Sequence, residues 1–283
     1  MVSLQSFRAA VAVVSILFAA AASAQPPGPP PARSPRDAAQ VDLTGNWVAQ
    51  VTEDWRWRMI TPPKGEYASV PLNQLGRQVA DGWDPAAATT GDEACRAFGA
   101  GGIMRLPTRL KVAWADENTL RIETDLGRQV RVLHFNRVAP VAAEPSWQGH
   151  SVAEWLGVPP PANPFGALVA PTQEAAAARG RAAAGPPAGG AARAAAPVTR
   201  GSLKVVTTNL RAGYLRKNGV PFSENAFMTE YYTLVVEDDG NQYLVIQTFV
   251  ADPRYLTGHF VRTLQFKRES DGSKRNPVPC SAT

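Results

Sequence analysis

Pro145-Ser146-Trp147-Gln148-Gly149-His150-Ser151-Val152-Ala153-Glu154-Trp155-Leu156-Gly157 is followed, after an interval of alanine, proline and glycine, by Gly201-Ser202-Leu203-Lys204-Val205-Val206-Thr207-Thr208. The first run carries Trp147, Val152 and Trp155. The second is β-branched and apolar from Leu203 to Thr208, and both compositions suit strands of a half-buried sheet. The interval between them, residues 159–200, is Ala-, Pro- and Gly-rich and has too little large apolar surface to bury, so it is predicted to be disordered. The flanking runs are therefore expected to pair as neighbours in one sheet, with the insertion as an enlarged hairpin loop rather than a linker between domains.

Outward from that stretch, residues 1–24 have the pattern of a secretory signal peptide. Arg8 is basic, Ala9 to Ala20 is apolar, and Ala22-Ser23-Ala24 is a small-residue site with cleavage expected after Ala24. Residues 25–40 form a Pro-rich tail predicted to be disordered, and residues 41–282 a single β domain interrupted by the insertion. No later run approaches transmembrane length, so no transmembrane segment is expected. The predicted localisation is periplasmic or secreted.

The net charge of +5 lies mostly outside the folded body. Arg8 carries one unit, Arg179, Arg181, Arg193 and Arg200 against Glu174 place three in the insertion, and Arg33 and Arg36 against Asp37 place one in the tail. A basic excess so distributed is not a nucleic-acid footprint, and no nucleic-acid partner is expected. The two cysteines, Cys95 and Cys280, are expected to form a disulfide in an oxidising compartment; neither stands in a C-x-x-C pair.

The body reads as short strands separated by turns. Trp47 opens an alternating run after Gly45, and Trp55-Arg56-Trp57-Arg58, if extended, sets both tryptophans on one face and both arginines on the other. Leu72, Leu75, Val79 and Trp83 recur at helical spacing, predicting one short helix within Pro71 to Trp83. Strands are predicted over Leu110 to Trp114, Thr119 to Thr124, Gln129 to Phe135, Leu203 to Asn209, Met228 to Glu237, Gln242 to Val250 and Phe260 to Arg268, with Asp238-Asp239-Gly240-Asn241 as a hairpin turn. The fold class is all-β: a single antiparallel barrel or a strongly curled meander sheet.

Gly45-Asn46-Trp47 at the first strand resembles the opening of lipocalin and calycin barrels, where the tryptophan plugs one end and an arginine, here Arg262, is expected to close over it. Trp147-Gln148-Gly149-His150-Ser151, Trp155, Leu203 to Thr208, Glu230 and Asp252-Pro253 resemble a widespread family of secreted bacterial β proteins that reads W-x-G-H-S-x-G-x-W-E-G-D-x-L-V-V-x-T. Here Ala153 replaces a glycine of that pattern and the insertion falls where the family has E-G-D. The resemblance implies a secreted β fold and carries no reaction with it.

His150, between a small glycine and a serine, is the candidate acid or base, with Glu230 or Asp252 as carboxylate partner. The plainer reading is a buried, hydrogen-bonded histidine, with Glu230 and Asp252 paired to Arg105, Arg131 or Arg262. Trp55, Arg56, Trp57, Arg58, His150 and Tyr214 are the candidate ligand-binding residues, because indole faces and guanidinium forks suit a flat anionic or carbonyl-bearing molecule. His134, His150 and His259 have no metal-site spacing, so neither a metal nor a cofactor is expected. Three functions compete: a binding module for a small, mostly apolar molecule in a barrel cavity, a hydrolase or isomerase, and an envelope interaction scaffold. The residues leave open whether the chain is an enzyme, and they say nothing of its oligomeric state.

Overall fold

The computed structural model describes residues 33–86, 91–135, 144–157 and 201–281. The segments read as signal peptide and insertion lie outside these, as does the first half of the Pro-rich tail. Order nonetheless begins before Val41: the Pro35 carbonyl accepts from Trp155 Nε1 at 2.8 Å and Arg36 N donates to the Glu117 carbonyl at 3.2 Å.

Nine strands close a barrel. In chain order they are β1 (Gly45–Gln50), β2 (Arg109–Asp116), β3 (Thr119–Thr124), β4 (Val130–His134), β5 (His150–Gly157), β6 (Gly201–Thr208), β9 (Phe227–Val236), β10 (Gln242–Ala251) and β11 (Phe260–Glu269); β7 (Gly213–Arg216) and β8 (Val220–Phe222) form a separate hairpin. Around the barrel the order is β1-β11-β10-β9-β6-β5-β4-β3-β2, with β2 returning to β1. The strands that flank the insertion pair as expected, from His150 opposite Thr208 to Gly157 opposite Gly201.

The sheet is not a pure meander. β4 and β5 run parallel, joined through Leu133 opposite Ser151 and His134 opposite Val152. A parallel step needs a connection long enough to return to the starting end, and residues 135–149 supply it. The seam carries two paired positions where the β9–β10 ladder carries ten.

Alternation decides what fills the lumen. Trp47, Leu110, Leu120, Ile122, Leu133, Leu203, Ile246 and Phe266 point inward and are at most 1% exposed. Trp47 donates its indole N–H to the Leu43 carbonyl at 3.1 Å, and the guanidinium over its ring is that of Arg268, at 4.3 Å, not that of Arg262. The β1–β11 register, which places Trp47 opposite Arg268, determines this. Arg262 lies six residues earlier on the same inward face, a spacing of about 20 Å along a strand, and so reaches the other end of the barrel.

That other end is capped by helical turns. After β1 the chain turns at Asp54, whose φ of 53° is left-handed, into α1 (Trp55–Arg58). The extended Trp-Arg-Trp-Arg expectation is therefore corrected: one helical turn leaves Trp55 63% exposed and buries Arg58 to 3%. The predicted short helix is α2 (Gln74–Asp81), capped by the Asn73 side chain accepting from Gly76 N at 2.8 Å. A 3-10 turn at Gly91–Cys95 and α3 (Ala100–Ile103) complete the cap with the β7–β8 hairpin. Cys95 and Cys280 are bonded, with Cα atoms 5.0 Å apart across 185 residues of sequence.

Candidate functional site

The residues around His150 are occupied by architecture. Gly149 has φ +62°, and a Cβ there would stand 2.4 Å from the Thr208 carbonyl, so only glycine lets the chain enter β5. Trp147 donates to Asp92 Oδ1 at 2.9 Å while Arg211 lies 4.1 Å over its ring. Gln148 Nε2 donates to the Phe98 carbonyl at 2.8 Å and to Gln129 Oε1 at 3.0 Å. The Trp147 carbonyl accepts from Ala100 N at 2.8 Å. The motif thus clamps the capping segment onto the barrel.

Ser151 points inward, sharing a hydrogen bond of 2.8 Å with Thr207, and both are buried beside Arg131 and Glu230. That pair is 0% exposed and bidentate, with Arg131 Nη1 3.0 Å from Glu230 Oε1 and Nη2 2.6 Å from Oε2; Nη1 also donates to Tyr232 Oη at 3.3 Å. Burial pulls the Arg131 guanidinium down, but Glu230 and Tyr232 outweigh it and hold it above its usual value. Tyr232 is pushed up, chiefly by burial. Polar pair and apolar residues together fill the middle of the lumen.

His150, one residue from Ser151, faces the opposite way and stacks on His134 across the parallel seam, centroids 5.1 Å apart and planes at 16°. His150 and Glu230 are therefore on opposite faces of the sheet. Asp252 joins neither. It accepts from Ser223 N at 2.7 Å, Ser223 Oγ at 2.8 Å and Arg254 N at 2.9 Å, tying two loops together, and none of Arg105, Arg131 or Arg262 is its partner. Glu230 does pair with one of the three expected arginines, Arg131.

Burial, then the neighbouring His150, lowers the His134 pKa against a smaller opposing pull from Asp116. A histidine that folding makes harder to protonate leaves the unfolded chain binding more protons, so stability is full above about pH 6.5 and falls as the pH drops below it. His134→Gln is expected to flatten the loss of denaturant midpoint between pH 7.5 and pH 5. An unchanged pH dependence in that variant would remove His134 as its cause.

The exposed and the unsatisfied groups gather instead at the capped end. Arg58, Arg105, Arg216 and Arg262 surround Asp54: Arg262 Nε is 2.7 Å and Arg105 Nη2 3.6 Å from its carboxylate. Arg58 Nε donates to the Arg105 carbonyl at 2.8 Å, but its Nη1 and Nη2 are buried without a hydrogen-bond partner among the described residues. Arg216 donates to the Ala68 carbonyl at 2.8 Å and lies 4.8 Å over Trp57. Burial, then repulsion from Arg216 and Arg262, pushes Arg105 down to about 9 against the pull of Asp54. Burial and Arg262 push Arg216 down to about 10. Cationic charge is in local excess.

Beside this cluster lies an open cleft of about 370 Å³. Its apolar walls include Met59, Ile60, Phe98, Leu106, Leu126 and Val278, and its charged lining residues are Arg58 and Lys217, both cationic. Burial lowers the Lys217 pKa. Met59 and Ile60 are 56% and 65% exposed, forming an apolar lip. Of the expected ligand-binding residues, Arg58 lines this cleft and Trp57 lies under Arg216. Arg56 and Trp55 are exposed, and His150 is on the outer wall. Tyr214 is stacked under Arg96 at 4.8 Å. The sequence reading offered Arg105 only as a partner for Glu230 or Asp252 and missed its place in this cluster. The available signal was a single arginine set between apolar neighbours, Met104-Arg105-Leu106.

Among the described residues no group of three or more His, Cys, Asp or Glu side chains is placed to hold a metal ion, and no helix is long and apolar enough to cross a membrane. No protein-family model, curated protein or solved structure matches the chain. The structure defines the class as a closed nine-stranded β-barrel.

Proposed function

We propose that the protein is an extracytoplasmic binding module for a small, mostly apolar molecule that carries one acidic group, seated in the cleft at the capped end of the barrel rather than in its lumen. The observation that carries this reading is the pairing of largely apolar walls with Arg58, whose two terminal nitrogens have no partner among the described residues. A guanidinium fork matches a carboxylate or phosphate edge, and buried donors without hydrogen-bond partners are costly even with the Asp54 and Glu53 carboxylates nearby, so an acidic ligand relieves the site. The cleft volume falls within the usual range for small-molecule sites.

Isothermal titration of the mature protein with dodecanoate and with dodecanol tests it. Dodecanoate is expected to bind, dodecanol at least about tenfold more weakly, and Arg58→Met to bring the two together, since a hydrogen bond to a charged group contributes about 1.5–3 kcal/mol. Equal binding of both by the parent protein would remove Arg58 as the acid's partner. A second reading, an envelope interaction scaffold, draws on the side-chain-filled lumen and predicts that neither amphiphile binds.

A further inference from the structure

A second, smaller space lies deeper at the same end, and its chemistry differs from that of the cleft. It is lined by Arg105, Thr248, Phe260, Arg262, Met104 and Leu264, and its volume is about 10 Å³. Arg105 is 5% and Thr248 8% exposed, and Arg105 Nε and Thr248 Oγ1 are buried without a hydrogen-bond partner among the described residues. Phe260 lies between two of the cations, with Arg105 at 5.3 Å and Arg262 at 4.3 Å from its ring, and supplies no acceptor. The sole carboxylate in ion-pair contact with Arg105 or Arg262 among the described residues is Asp54.

Size and charge together select the occupant. A space of this volume admits a single small particle and no phosphate or organic acid. A water among guanidinium donors accepts well but neutralises none of the charge. A monatomic anion accepts from the unpartnered Arg105 Nε and Thr248 Oγ1 and offsets the local cationic excess, while Arg262, already bonded to Ser69 and Asp54, adds its charge nearby. We propose that this space is a halide site, in which chloride is held by Arg105 and Thr248 beside Arg262 and fastens the capping segment to the mouths of β10 and β11. It stands apart from the amphiphile reading, which concerns the open cleft.

The test uses the mature full chain. Crystals soaked in sodium bromide are expected to show an anomalous peak between Arg105 and Thr248. The unfolding temperature is expected to rise saturably with chloride or bromide relative to sodium gluconate at equal ionic strength, because a ligand that binds only the folded state stabilises it by mass action. Thr248→Val, close in shape and without the hydroxyl, is expected to weaken halide binding by about tenfold while the variant still folds, the effect of one hydrogen bond to a charged partner. Water density with no bromide signal in the space would overturn the proposal. So would identical unfolding temperatures in chloride and gluconate, or a halide response that Thr248→Val leaves unchanged.

Discussion

Glu230→Gln is expected to lower the unfolding free energy by about 3–5 kcal/mol, the range for removing one member of a fully buried ion pair. The amide matches the carboxylate in shape, so no cavity forms and the loss is electrostatic. One Arg131 nitrogen meets an amide that also donates, and a guanidinium at 0% exposure keeps its charge with no counter-ion. Arg131→Met should cost less, because the stranded Glu230 can take up a proton, whereas an arginine cannot give one up at neutral pH. The double variant Arg131→Met/Glu230→Leu is expected to recover most of the loss, since well-packed apolar replacements of a buried pair are often neutral or better. Denaturant unfolding with the disulfide intact measures the parent protein and the three variants. A Glu230→Gln loss under about 1 kcal/mol would mean that water reaches the pair, contrary to its burial.

The same pair explains why the barrel reads as a ligand-holding calyx in sequence and is a filled one in structure. Strand alternation is visible because most inward positions are apolar and most outward ones polar, and the strands from Leu110 to Phe135 and from Met228 to Arg268 were legible on that basis. Arg131 and Glu230 break the alternation on their own strands, and sequence can propose them as partners. It cannot show that they meet across the lumen and block it. The parallel seam at β4–β5 was hidden for a different reason: composition does not encode the direction in which a strand joins its neighbour. Trp55-Arg56-Trp57-Arg58 fits a two-residue period and a single helical turn equally well. The left-handed Asp54 and the bond from Arg58 to the Arg105 carbonyl, 47 residues away, settle it.

The candidate site was legible only in part. Arg58 stood out beside tryptophans, but Arg105, Arg216 and Lys217 gain meaning by converging from distant parts of the chain on one end of the barrel. His150 drew attention because histidine between small residues is chemically versatile. The small residues turn out to serve backbone and lumen: Gly149 allows the left-handed turn into β5, and Ser151 bonds Thr207. A motif rich in chemically able side chains here holds a cap in place, and the cap in turn carries Phe98 and Leu106 to the cleft.

Replacing both Cys95 and Cys280 by serine is expected to cost about 3–5 kcal/mol. Closing a loop of 185 residues removes denatured-state entropy worth roughly 5 kcal/mol in the chain-entropy model, and a denatured chain that is already compact reduces the figure. The bond also shapes the cleft. Phe98 follows Cys95 by three residues, Val278 and Pro279 immediately precede Cys280, and all three line the walls. Val278 N donates to the Asp125 carbonyl at 2.9 Å and Arg128 Nε to the Pro277 carbonyl at 3.2 Å, so the terminal segment keeps some hold without the bond. The double variant should therefore fold at low temperature with the barrel intact, unfold at a lower denaturant midpoint, and bind dodecanoate more weakly than its fraction folded accounts for. If binding per folded molecule were unchanged, the disulfide would act on the unfolded chain alone, and the cleft walls would be fixed by those backbone hydrogen bonds.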